Sequence, residues 1–260
     1  MNMPRIFVHG NPETDAIWSL LSEALAARGV DDLLLMSPPG FGAPVPEAWV
    51  PTPENYVAWL AGELEGLDGE VDLVGHDWGA LHVYGLVAEH PELVRSWAGD
   101  CAGALNDAYV WHELAQVWQQ TGPGEEWVDG MLSLTVQERT DQWLRLGLPE
   151  PVAQSMAAAF NDEMGRCILG LYRTAVPPVL TRLADRLAFV ESTPALIIDP
   201  TEDPYVPSSF VPDVVKRLEV EHLRLSGQGH WWMLDERGVD EGADGLVSFW
   251  TSLETFNTRT

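Results

Sequence analysis

The chain of 260 residues is poor in several things at once. It has two cysteines, Cys101 and Cys167. Two cannot make a disulfide framework or a zinc site, so both read as small buried apolar residues. Lys216 is the single lysine, and 14 basic residues face 40 acidic ones, for a net charge of −26. Nucleic acid and anionic membrane are poor partners for such a surface; a neutral or cationic small molecule is admitted more easily. No apolar run approaches the roughly 18 residues of a membrane helix. The opening residues lack the basic end and apolar core of a secretory leader, so a cytoplasmic protein is expected. His82, His90, His112 and His222 have no metal-ligand spacing, and neither metal nor another cofactor is expected.

What is present is an ordinary globular balance, 46% hydrophobic and 21% charged, at the size of one domain with room for an inserted subdomain. Short β-rich runs alternate with longer helical stretches, which argues for a parallel sheet with crossover helices. Strands are predicted at 5–8, 32–36, 71–74, 94–98, 195–198 and 222–225. Helices are predicted at 15–28, 53–65, 78–89 and about 240–255. Between 101 and 190 the chain is rich in Trp, Gln, Glu and Ala with few strand-like runs. The α/β reading is therefore a sheet of about six strands flanked by helices. Residues 1–100 and 191–260 form the core domain, and 101–190 a helical cap inserted after the fourth strand.

The strongest local signal is Val71-Asp72-Leu73-Val74-Gly75-His76-Asp77-Trp78-Gly79-Ala80. A strand runs through Gly-x-Asp-x-Gly into a helix. Small residues on either side allow a tight turn that lifts the central side chain and aims helix N–H groups at it. Asp77 holds the position where the serine version has its nucleophile. A carboxylate is already ionised at neutral pH and attacks carbon bearing a leaving group, making an alkyl ester.

Hydrolysis of that ester needs a base, and the base needs an orienting acid. His230 lies in Gly227-Gln228-Gly229-His230-Trp231-Trp232 just past the last strand, where a histidine suits a base near neutral pH. Asp203 in Asp199-Pro200-Thr201-Glu202-Asp203-Pro204 is the acid candidate. Asp199 and Glu202 compete with it, and Asp100 after the fourth strand is the alternative acid. Nucleophile, acid, histidine is the α/β-hydrolase chain order.

Nearly the whole chain resembles the α/β-hydrolase family, and within it the aspartate-nucleophile branch of epoxide hydrolases and haloalkane dehalogenases. His9-Gly10-Asn11-Pro12 is similar to that branch's His-Gly-x-Pro oxyanion segment, His76-Asp77-Trp78-Gly79 to its elbow, and Pro39-Gly40-Phe41-Gly42 to its Gly-rich loop. The resemblance implies the α/β-hydrolase fold, a cis bond before Pro12, and backbone N–H groups of Asn11 and Trp78 facing Asp77. The family usually places two strands ahead of this segment, and eight residues cannot supply both.

The two activities differ in how the leaving group is stabilised. Epoxide hydrolases donate two cap tyrosine hydroxyls to the opening oxygen. Leu169-Gly170-Leu171-Tyr172-Arg173 resembles their Asn-Trp-Tyr-Arg segment in its last two residues, and Tyr109 is the second cap tyrosine. Haloalkane dehalogenases hold the halide with the indole after the nucleophile and, in one subgroup, the Asn of His-Gly-Asn-Pro; Trp78 and Asn11 fit. The agreement of Tyr172 with Asp203 favours an epoxide, opened to a diol through an ester on Asp77 and water activated by His230. A haloalkane is the alternative, and a biosynthetic or ligand-binding homologue comes third. Trp111, Trp118, Trp127 and Trp143 suggest an aromatic pocket, so the substrate expected is a small apolar molecule. A homodimer is left open.

Overall fold

The computed structural model describes residues 4–190 and 193–257. The chain's first three residues, on which the leader reading partly rests, and the expected domain boundary at 191 lie outside them.

Six strands alternate with helices. β1 (Arg5–Val8) leads into a short 3-10 turn and α1 (Ser19–Ala26), then β2 (Leu33–Met36), α2 (Pro53–Glu65), β3 (Val71–Gly75), α3 (Trp78–Glu89) and β4 (Val94–Gly99). Six helices follow before the next strand: α4 (Glu113–Gln119), α5 (Pro123–Ser133), α6 (Val136–Arg145), α7 (Glu150–Ala159), α8 (Asp162–Thr174) and α9 (Val179–Leu187). β5 (Ala195–Pro200), α10 (Val211–Leu218), β6 (Glu221–Leu225) and α11 (Glu236–Asn257) complete the chain. The strands lie in the order β2-β1-β3-β4-β5-β6, and every pairing is parallel. Parallel strands need crossovers, and here helices supply them.

A parallel sheet buried on both faces should send alternate side chains to two cores. Ile6 and Val8 enter one core and Phe7 the other; Ala195 and Ile197 part from Leu196 and Ile198 in the same way. The first core includes residues of α2, α3, α9 and α10. The second lies against α1 and α11, and takes in Trp143, Val152 and Met156 from α6 and α7. Thr52 caps α2 by accepting from the Asn55 N–H, with Pro53 at the first helical position. Cys101 and Cys167 are buried free thiols. Among the described residues no helix is long and apolar enough to cross a membrane.

Candidate active site

The carboxyl ends of parallel strands are where such sheets place their chemistry, and β1, β3, β4, β5 and β6 all deliver residues there. Asp77 stands between β3 and α3 at φ 52° and ψ −123°, a strained conformation that a side chain adopts only when its surroundings fix it. The flanking glycines show how. A Cβ on Gly75 would sit 2.5 Å from the Ala80 Cα, and one on Gly79 2.0 Å from the Val8 carbonyl oxygen. The helix begins too close to the strands for any side chain there. Gly10 serves the same purpose from β1, since its Cβ would meet Asp77 Oδ1 at 2.1 Å.

The Asn11 N–H donates to Asp77 Oδ1 at 3.0 Å, and the Asn11–Pro12 bond is cis. Among the described residues the Trp78 amide, the second donor expected there, makes no hydrogen bond to this carboxylate. His230 Nε2 stands 3.9 Å from Asp77 Oδ2, beyond a hydrogen bond. On its other side His230 Nδ1 meets Asp203 Oδ2 at 2.8 Å. The second oxygen of Asp203 accepts the Tyr205 and Val206 N–H groups at 2.7 and 3.1 Å. Burial raises Asp203, but His230 and these donors hold it below its ordinary value. Burial lowers His230, and Asp203 more than reverses that. Burial pushes Asp77 up to about 6 against the pull of His230.

The competing acids are placed elsewhere. Asp199 Oδ2 pairs with His222 Nε2 at 3.1 Å, and Glu202 is exposed. Asp100 is buried behind Asp77: Oδ1 accepts the Asp77 N–H at 3.0 Å, and Oδ2 meets His76 Nδ1 at 2.6 Å and accepts the Trp232 indole N–H at 2.8 Å.

Sequence reasoning missed the far side of His76. Its Nε2 lies 3.2 Å from Glu13 Oε1, which also accepts the Trp231 indole N–H at 2.7 Å, while Glu13 Oε2 accepts the Gly10 N–H at 3.0 Å. Glu13 is 1% exposed; burial pushes it up, and His76 overrides that to leave it at about 2. Its signal in the sequence is an acidic residue directly after His-Gly-Asn-Pro, where a surface residue gains nothing. Glu13, His76 and His230 offer ligand atoms within 4.8 Å of one another, as do Cys101, Asp203 and His230. The first group already faces Trp231, Gly10, Asp100 and Asp203, so it forms an internal network rather than an open ligand set.

Residues 6–244 match the sequence profile described as the alpha/beta hydrolase family. The chain belongs to that family. Among solved structures this hydrolase is similar to haloalkane dehalogenase DbeA from Bradyrhizobium elkani, at 19% identity over 97% of this chain and 91% of that one, with a TM-score of 0.74. It is similar to a meta-cleavage product hydrolase from Pseudomonas fluorescens at 17% identity over 96% and 91%, TM-score 0.69. E-2-(acetamidomethylene)succinate hydrolase matches at 17% over 96% and 91%, TM-score 0.68. At these identities the likeness is one of fold.

Above Asp77 the hydrolase is aromatic. Trp78 stacks on Trp111 with centroids 5.7 Å apart, and the Tyr172 ring meets Trp78, Trp111 and Trp118 at 5.3, 5.0 and 4.7 Å. Trp127 packs on Trp118 and Phe160. Trp143 departs from the expected aromatic group and packs in the other core, with α7. Burial and the Asp77 charge push the Tyr172 phenol well up, so it keeps its proton. The Tyr109 hydroxyl donates to the Tyr205 carbonyl at 3.3 Å. Three donors or acceptors on the residues flanking Asp77 are buried without a partner: Asn11 Nδ2 and Oδ1, and Trp78 Nε1. The Trp78 N–H is close enough to the Tyr172 hydroxyl to oppose its upward push, without the geometry of a hydrogen bond. A recess of about 360 Å³ borders His230 between Leu148, Tyr205 and Trp231. A cleft of about 300 Å³ lies against Tyr109, Trp111 and Leu180.

Proposed function

We propose that the chain is an aspartate-nucleophile hydrolase that displaces a leaving group from an apolar carbon, with the helical insertion at 101–190, α4–α9, as its cap. Asp77 Oδ2 attacks the carbon and the leaving group departs with the bonding pair, leaving an alkyl ester. Oδ1, held by the Asn11 N–H, becomes the ester carbonyl oxygen and carries negative charge when water adds. His230 Nε2 takes that water's proton, with Asp203 fixing its tautomer. Collapse of the adduct frees the alcohol, which recovers that proton from His230; Asp77 is left holding the water's second hydrogen as a carboxylic acid and returns to the carboxylate by releasing it to solvent. The recess beside His230 supplies a route for water.

The leaving group this arrangement suits best is a halide. The supporting observation is the pair of buried, unpartnered N–H donors on Asn11 and Trp78. A buried donor without a partner costs roughly 1–3 kcal/mol, a cost that is recovered when an anion arrives. The structural likeness to a haloalkane dehalogenase agrees with this at the level of fold. An epoxide is the second reading, favoured by the protonated Tyr172 phenol; its expected partner Tyr109 is turned onto Tyr205.

His230→Ala, exposed separately to a bromoalkane and an aryl epoxide, tests both. An intact-mass gain equal to the alkyl group without bromine supports the halide reading. A gain equal to the whole epoxide supports the second. Either adduct must vanish in Asp77→Asn. No adduct from either reagent overturns the aspartate ester.

A further inference from the structure

His76 sits one residue before the nucleophile, fully buried, with a carboxylate at each ring nitrogen. A neutral imidazole has one N–H and one lone pair, so one of its nitrogens would point a lone pair at a carboxylate oxygen. A proton on one carboxyl could relieve that, but the oxygens are already supplied. Glu13 and Asp100 mirror each other: one oxygen of each accepts a backbone N–H, and the other accepts an indole N–H alongside the imidazole. Four carboxylates, Glu13, Asp77, Asp100 and Asp203, are gathered around two histidines, and burying that many charges without cations is costly.

We propose that His76 is a permanent imidazolium, a positioning residue that fastens the three loops of the site and keeps His230 free to act as a base. The loops are identified by the donors around it: Gly10 from the turn after β1, Asp77 from the elbow, and Trp231 and Trp232 from the loop that carries His230. The ring centroids of His76 and His230 are 4.6 Å apart, so a fixed cation on the first opposes a proton on the second. That counters the pull of Asp203 and Asp77 on His230. The charged or titratable groups facing His76 are Glu13 from the β1 turn, Asp100 from the end of β4, His230 from the β6 loop, and Asp77 on its own turn. His9 on β1 is kept neutral by burial and bonds Gly10 and Ser37; the Trp18 ring packs edge-on. The effect on turnover rests on the function proposed above, whereas the protonation state does not.

The unaltered chain, labelled with 15N-histidine, is followed by NMR from about pH 6 to about pH 9. One buried histidine, identified by its contacts with the Trp231 and Trp232 indole protons, is expected to keep both ring protons throughout. A neutral tautomer at that position overturns the proposal, and this spectrum decides it even where variants do not fold. In folded His76→Gln the His230 titration midpoint should rise by about one pH unit, the effect of removing a like charge at this range. An unmoved midpoint overturns the charge-setting role. If the ester reading holds, the acid limb of ester breakdown moves up with it. If no ester forms with any reagent, the NMR result still stands or falls alone.

Discussion

The two central imidazoles are neighbours with opposite surroundings. His230 has one carboxylate on Nδ1 and leaves Nε2 facing Asp77 across 3.9 Å. His76 has a carboxylate on each nitrogen and no atom left for chemistry. On the reading proposed above, one carboxylate orients a base and a second makes a fixed cation. What separates a mobile proton from a structural one is therefore the count of acceptors around the ring, since both rings are buried.

The largest effect that tests this contrast is Asp77→Asn, expected to lower turnover about 10⁴-fold or more in a halide-release assay. Next, Asp203→Asn and Asp100→Asn should fail differently. Asp203→Asn should slow ester breakdown about a thousandfold in a folded protein. Asp100→Asn leaves a buried cation short of a partner and should cost about 3–5 kcal/mol in denaturant unfolding. Matching defects in the two variants would erase the distinction between the histidines. Third, ester formation should fall about tenfold per pH unit below the Asp77 midpoint, because the protonated Asp77 does not attack. Mass spectrometry of His230→Ala across pH reads this step alone, and there the midpoint should lie above about 6, since the pull of His230 on Asp77 is gone. Fourth, Asp77 binds its proton more tightly folded than unfolded, so stability drops as pH climbs from 3.8 to about 6 and stays lower above. Asp77→Asn should accordingly raise Tm by a few degrees at neutral pH, read by calorimetry. The smallest effect is Tyr172→Phe, a severalfold change with a bromoalkane and a much larger one with an epoxide.

Local patterns in the sequence carried well into the fold. α2 and α3 run over the residues that period and capping predict, and six strands form one parallel sheet. Asp77, Asp203 and His230, chosen by chain order, lie together. The elbow was legible because its constraint is local: glycines must flank a residue that a strand and a helix both crowd. The last helix starts at Glu236, ahead of the expected 240, and runs through Gly238 and Gly242. They are contact points, where a Cβ would come within 2.2 Å of Trp232. Glu13 left only its place after His-Gly-Asn-Pro, and the role of His76 and the two indole anchors left no pattern to read. Their logic is a donor count around one ring, assembled from residues that no spacing rule connects.

The paired tryptophans also set the order in which the site can come into being. Glu13 and Trp231 are 218 residues apart in the chain, and Asp100 and Trp232 are 132 apart. Contacts of such long range carry a high loop-closure cost and need both partners to be present. A growing chain that has released β1, the elbow and β4 has already placed Glu13, His76, Asp77 and Asp100, but without the indole donors that complete the two carboxylates. The surroundings of Asp77 are thus finished only when nearly all of the polypeptide has been made. A chain ending before Trp231 leaves the buried oxygens of Glu13 and Asp100 each short of an indole donor, a built-in penalty against any truncated copy.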